Sequence, residues 1–385
     1  MKSRLRRGVC IALFFAFLPI ALIPAHGQDK GKISSVLQPF VKNQTVAGVV
    51  TVVADKDKVL DESSVGYLNL AAMLQMPLDA LFWIASMSKP ITAAALMMLV
   101  DEGKVKLDDP IEKYLPEFKG HWTVVEQGKD RLVLGKAKRL VTVRDVLNHT
   151  SGLPGRGAME QPTYDALSLR DAVRSYALTP LNSEPGTKYV YSNPGINTAG
   201  RIIEVASGMK YEEFLEKRMF GPLGMKDTTF WPNEAQLKRL AKSYKPGKDK
   251  TGLEETSIFA LRYPLSDRSR QPFPGGGLFS TAHDITVFGQ MVAGGGVYKS
   301  KRFLSEAAVK EMTSRQTAKD LTSYGLGWSV GPDGFGHGGA YATNLSIDTK
   351  RGLVLVFMVQ HTGGGNVGQC SAAFRKAAGE IYGNR

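Results

Sequence analysis

The sequence predicts an α/β chain of the α+β type, with one antiparallel sheet flanked by helices and assembled from both chain ends. A mainly helical domain is inserted between those ends. Three observations lead there. Residues 47–54 form a β-branched run whose hairpin partner lies near 59–67. Strand-like runs return only late, at 324–330, 345–349 and 353–361. Between them the chain reads as short helices and loops. The expected division is 28–105 plus 275–385 for the sheet domain and 106–274 for the insertion.

In chain order, residues 32–42 read as a short helix and 91–100 as a helix with no wet face, since only Thr92 is polar there. Gly103 supplies its left-handed stop. Residues 122–134 alternate as a small hairpin. Thr142 and Asp145 form a capping-box pattern, and Ser168 with Asp171 repeats it. Helices are expected over 196–206, closed by Gly208, and over 211–219, closed by Gly221. Residues 237–274 are polar and aperiodic, a long connecting loop over the surface that is placed to shape a substrate entrance. Thr281 caps a helix reaching Val292, and 369–382 forms a closing helix.

Residues 1–7 are basic, 9–24 are apolar, and Ala25-His26-Gly27 ends the run with small residues at two alternate places. This is the pattern of a secretory signal cut after Gly27, and the apolar run is short for a membrane span. The expected location is therefore periplasmic or secreted, with no stable membrane anchor after cleavage. The whole chain has 385 residues and a formal charge of +13. Its leader holds four basic residues and no acid, which leaves +9 on 358 residues. Lys and Arg are scattered without interleaved aromatics, so nucleic acid is not an expected partner. Cleavage removes Cys10 and leaves Cys370 alone, so no intrachain disulfide can form.

Chemistry concentrates at Ser86-Met87-Ser88-Lys89-Pro90, where the apolar helix begins. Serine is a poor nucleophile until a base takes its proton. An amine three residues on lies on the same helix face, and dry surroundings lower its pKa from about 10.4. Neutral Lys89 can then accept the Ser86 proton, and the helix N-terminus favours the alkoxide.

Two further motifs complete a constellation. Tyr191-Ser192-Asn193 offers a phenol to relay a proton and an amide to hold substrate or Lys89. Gly336-His337-Gly338-Gly339-Ala340 offers a glycine-lined strand edge, where the Ala340 N–H could pair with that of Ser86 as an oxyanion hole. His149, in Asn148-His149-Thr150-Ser151-Gly152, reads as a structural helix end. A rival nucleophile, Ser329 in Gly327-Trp328-Ser329-Val330-Gly331, is followed by Pro332 and glycines instead of the helix that a nucleophile elbow needs. No metal-ligand spacing or phosphate-binding loop is present, so neither a metal nor another cofactor is expected.

The order Ser86-x-x-Lys89, Tyr191-x-Asn193, His337-x-Gly339 resembles the serine hydrolases related to class C β-lactamases. These include D-alanyl-D-alanine carboxypeptidases and family VIII carboxylesterases. Residues 147–153, 185–187 and 275–281 resemble the same family, so the likeness spans nearly the whole mature chain. It implies a β-lactamase/transpeptidase-like fold with the site in the cleft between its two parts. It also implies Ser86 as acylated nucleophile, Lys89 and Tyr191 as proton-transfer pair, and Asn193, His337, Gly338 and Gly339 as substrate-binding residues.

One departure matters. Class C β-lactamases carry Lys-Thr-Gly where this chain has His337-Gly338-Gly339. The missing ammonium and hydroxyl would otherwise meet a substrate carboxylate, and such charged hydrogen bonds are worth about 1.5–3 kcal/mol each. The expected substrates are therefore small uncharged esters or amides. Alternatives are a β-lactam, a cell-wall peptide ending in D-Ala-D-Ala, or acylation without turnover, as in a penicillin-binding sensor.

Overall fold

The computed structural model describes residues 32–249 and 251–383; the leader, 1–27, lies outside them. Seven strands make one antiparallel sheet: β1 (Gly48–Ala54), β2 (Val59–Asn69), β3 (Leu74–Gln75), β4 (Ser329–Val330), β5 (Gly334–Gly338), β6 (Asn344–Asp348) and β7 (Leu353–Met358). Their order is β4-β5-β6-β7-β1-β2-β3, so the two chain ends meet where β1 pairs with β7. The sheet is thus antiparallel and built from both termini, flanked by helices α1 (Lys32–Lys42), α2 (Ser88–Asp101), α4 (Ala282–Ala293) and α5 (Val367–Tyr382), while α3 (Asn193–Ser207) belongs to the segment between the sheet halves and packs on α2.

Strand β1 shows no polar alternation because both its faces are covered. Val49 and Val53 join Leu355 and Phe357 in the cluster that packs against α1 and α5. Val50 and Val52 face the other way, into the larger core containing α4 and α2. That larger core continues into the segment between the sheet halves, through Val146, Ile196 and Phe214. Helix α2 runs through it, and every residue from Ser88 to Leu99 is buried. Each large apolar side chain it buries contributes about 1.5–3 kcal/mol. Gly103 follows it with φ 71°.

Three stretches differ from their sequence reading. The helix starting at Tyr211 does not close at Gly221, which keeps a helical φ of −57°. A π turn over Glu216–Phe220 absorbs the register change ahead of Pro222, and Gly224, with φ 77°, ends the helix. The 237–274 segment is no structureless loop. It contains the hairpin Ser243–Pro246/Leu253–Thr256, and Arg270 lies buried against Asp165 at 2.7 Å. Only Ser329–Val330 of the 324–330 run is a strand. Gly327 (φ 76°) turns the chain there, and a Cβ on it would lie 2.9 Å from the Lys89 carbonyl oxygen. Among the described residues, no helix is long and apolar enough to cross a membrane, and no acidic, His or Cys cluster could hold a metal ion.

Candidate active site

Ser86 sits in a 3₁₀ turn, Ala85–Met87, that leads straight into α2. The strand before it, Leu81–Trp83, pairs with Phe279–Thr281 and fixes the entry direction. Ala85 adopts φ 45°, a left-handed conformation that costs an L-residue about 1–2 kcal/mol. The surrounding structure holds it there: Ile84 N–H donates to the Leu278 carbonyl at 3.0 Å, and Trp83 Nε1 donates to the Gly276 carbonyl at 2.8 Å.

Lys89, one turn along, is fully buried. Its Nζ lies 2.6 Å from the Gly275 carbonyl oxygen, 2.8 Å from Asn193 Oδ1 and 3.1 Å from Ser86 Oγ. Burial pulls its pKa well below the ordinary 10.5. The Tyr191 ring centroid lies 4.6 Å from the amine. A neutral amine suits these partners. Two N–H bonds donate to Gly275 and Asn193, which leaves the lone pair facing the Ser86 hydroxyl.

Tyr191 faces the same amine, and burial holds its phenol well above its ordinary pKa. Its resting form is therefore the phenol. Tyr191 sits between two anchors provided by His149. The His149 carbonyl accepts from Val190 N–H at 2.9 Å, and its Nδ1 accepts from Ser192 N–H at 3.1 Å. The two rings lie 4.5 Å apart. His149 does follow a helix end, with φ 65° after Val143–Leu147. Burial keeps it neutral. Helix α3 begins immediately beyond, with Ser192 as N-cap, and presents Asn193 from its first turn.

His337 and Gly338 end β5 beyond the short cover of β4. The His337 ring is buried and engaged at both nitrogens. Nδ1 donates to the Gly338 carbonyl at 2.7 Å, so Nε2 accepts from Tyr324 Oη at 2.9 Å. This ring therefore has neither nitrogen free for a substrate, and burial lowers its pKa to about 3. Gly339 lies against the nucleophile's turn, since a Cβ there would come within 2.4 Å of the Ile84 carbonyl oxygen. Among the described residues, no acceptor outside its own helical turn takes the Ser86 N–H, and none takes the Ala340 N–H. Tyr324 and the Gly275 carbonyl are the participants that spacing did not reveal. The Gly275-Gly276-Gly277 run was the only trace of the second.

Ser329, the rival nucleophile, is exposed on the edge strand β4. Asp348 and His361, which follow Ser329 in the order an acid and a base would take in an α/β-hydrolase, are engaged elsewhere: Asp348 pairs with Arg351 at 2.9 Å, and His361 Nε2 donates to the Gly364 carbonyl at 2.9 Å.

A family model described as Beta-lactamase matches residues 33–378. Protein Rv1367c of Mycobacterium tuberculosis is 31% identical over 355 residues, covering 82% of this chain and 86% of that protein. A Salmonella agona protein, named as a candidate D-alanyl-D-alanine carboxypeptidase, is 29% identical over 384 residues, covering 86% and 83%. Among solved structures, EstCE1, described as a hydrolase with promiscuous acyltransferase activity, superposes with a TM-score of 0.76. It is 20% identical, and the match covers 90% of this chain and 97% of that one. A buried lysine within reach of a serine hydroxyl, on this sheet and with this match along its length, places the chain in the β-lactamase family of serine hydrolases.

Proposed function

We propose that this chain is an exported serine acyl hydrolase acting on small uncharged esters or amides through a Ser86 acyl-enzyme. The observation that carries the reading is the Lys89 amine, dry and held by two acceptors with its third direction on Ser86 Oγ. Lys89 takes the Ser86 proton as Oγ attacks the acyl carbon. The Ser86 and Ala340 N–H groups receive the developing oxyanion, and Tyr191 gives its proton to the departing alcohol or amine. Lys89, now an ammonium, returns a proton to Tyr191. Water then attacks the acyl-enzyme with the Lys89–Tyr191 pair as base, and Ser86 regains its proton as the acid leaves. Asn193 holds Lys89 and the substrate carbonyl side. The leader supports export to the periplasm or beyond.

Gly338 supports the preference for uncharged substrates. It provides no hydroxyl or ammonium for a substrate carboxylate, and the His337 ring, tied to Tyr324, does not replace them. Turnover of a short-chain p-nitrophenyl ester, a chromogenic cephalosporin and a D-Ala-D-Ala peptide by one preparation tests this. The ester is turned over fastest, and intact-mass analysis after a phosphonate maps the adduct to the Ser86 peptide. Clear superiority of the cephalosporin or the peptide would overturn the substrate assignment. A single burst without steady turnover on every substrate would favour the sensor. The Salmonella relative's name keeps the peptide in the panel.

The glycines separate two roles. A Cβ at Gly339 meets Thr343 Oγ1 and the Ile84 carbonyl oxygen at 2.2 and 2.4 Å, so Gly339→Ala must push Ala340 away from Ser86. Losing one oxyanion donor costs about 2.7–4 kcal/mol of barrier, a 10²–10³-fold fall in kcat. At Gly338 the nearest atom to a Cβ is 3.5 Å away, an ordinary contact. Gly338→Ala keeps kcat within about twofold, as a substitution without a clash does. Equal kcat for the two variants would remove the oxyanion role from this turn.

A further inference from the structure

A buried carboxyl group sits behind the site, at the end of a chain of hydrogen bonds that leads to Lys89. Glu160 is 1% exposed although it is a glutamate. Its Oε2 accepts from Gly157 N–H at 2.8 Å, and its Oε1 accepts from Asn197 Nδ2 at 3.0 Å and from Tyr176 Oη at 2.5 Å. Asn197, one helical turn after Asn193 on α3, is 2% exposed. Its Oδ1 accepts the Gly275 N–H at 3.0 Å. The other side of that peptide is held too, because Thr92 Oγ1 donates to the Pro274 carbonyl at 3.0 Å. Gly275 is thereby fixed at its nitrogen, and its own carbonyl is the shortest contact of the Lys89 amine.

The loop cannot hold this position by side-chain packing. A Cβ on Gly275 would lie 2.9 Å from the Phe273 ring and 3.0 Å from Asn193 Oδ1, so the backbone itself must approach the amine. A bare glycine loop has more conformational freedom than any other, and something must restrict it. Asn197 does so only if its amide keeps one orientation, carbonyl toward Gly275 and NH₂ away. Glu160, which can only accept when ionised and has an acceptor oxygen aimed at Nδ2 in either state, imposes that orientation together with the Tyr176 hydroxyl that it holds, which accepts from the same Nδ2 at 2.9 Å.

We propose that Glu160 is a positioning residue for acyl transfer: by orienting Asn197 it fixes Gly275, whose carbonyl aims the Lys89 amine at Ser86. The proposal rests on the assignment of Ser86 and Lys89 as nucleophile and base. Glu160 touches neither substrate nor the reacting atoms. Arg156, whose guanidinium donates to the Glu160 carbonyl, and Tyr176 are the charged or titratable groups facing it. Tyr191, His149 and His337 are those facing Lys89.

The test compares Glu160→Leu, Glu160→Gln and Asn197→Ala with the parent and with Ser86→Ala, by thermal unfolding and by the pH profile of ester hydrolysis. Misplacement of a reacting group costs up to about a hundredfold, so Glu160→Leu should lower kcat about ten- to hundredfold with KM nearly constant. A slack Gly275 carbonyl stabilises the Lys89 ammonium less, so the acid limb of kcat/KM moves to lower pH. Glu160→Gln keeps an oxygen for Asn197 but turns its NH₂ toward the Gly157 N–H, so it restores part of kcat, well above Glu160→Leu. The double variant Glu160→Leu/Asn197→Ala is no slower than Asn197→Ala alone, as expected for two residues on one path. Parent-like kcat and acid limb in folded Glu160→Leu, or additive losses in the double variant, would overturn the proposal while leaving the site intact. If Glu160→Leu does not fold, Asn197→Ala decides: an unmoved acid limb overturns the proposal. Hydrolysis by Ser86→Ala would instead show the fault to lie in the nucleophile assignment.

Discussion

Ser86→Ala lowers kcat for ester hydrolysis by about 10⁶-fold, the loss seen when the nucleophile of a unit acting together is removed. Ser329→Ala stays within about twofold of the parent, as a surface substitution away from special features does. The contrast follows from what each hydroxyl touches. Ser86 Oγ lies within reach of a buried amine and a phenol, at the start of a fourteen-residue helix. Ser329 lies on a two-residue edge strand, in a chain where Asp348 and His361 serve other partners. Thermal unfolding should hardly change in either variant, because neither serine is part of the core. Steady-state rates on a p-nitrophenyl ester check both, and retained turnover in Ser86→Ala would remove the acyl-enzyme.

The nucleophile–base pair was legible in the sequence because both members lie within one helical turn, where spacing alone fixes a shared face. The sheet was legible for a similar reason, since β-branched runs at both chain ends mark strands that need covering on two faces. What joins the parts was not. The Gly275 carbonyl is 186 residues from Lys89, and no local pattern says that a glycine loop will supply the acceptor. His149 could be read as a helix end, and it is one. That its ring and carbonyl also bracket Tyr191 depends on a loop forty-odd residues later, where Ser192 N–H reaches Nδ1. Periodicity failed in the 237–274 segment because Arg270 is satisfied by Asp165, 105 residues earlier, and by the carbonyls of Phe230, outside the loop, and Leu265, within it. At Gly221 the usual stop signal lost to a π turn that kept the backbone helical.

Lys89→Met separates the catalytic from the structural consequences of the buried amine. A positioned general base contributes up to about 10⁴-fold, so kcat falls by about that factor while the ester still binds. Folding stability changes in a different and diagnostic way. The Lys89 pKa in the folded protein is well below its ordinary 10.5, because burial disfavours the ammonium. Between those two values the unfolded chain binds the proton and the folded chain does not, so unfolding takes up a proton. Stability of the parent therefore rises with pH from the folded pKa up to about 10.5 and levels off above it. Methionine fills nearly the same volume and has no proton to bind, so this rise disappears from the variant. The absolute stability at neutral pH is a poorer guide. Relief of a buried amine favours the variant, whereas the Gly275 carbonyl and Asn193 Oδ1 lose a donor at about 1–3 kcal/mol each. Denaturant unfolding from pH 6 to pH 10 reads the slope directly. If parent and variant keep the same slope, Lys89 enters the folded state as an ammonium, and it cannot then be the group that takes the Ser86 proton.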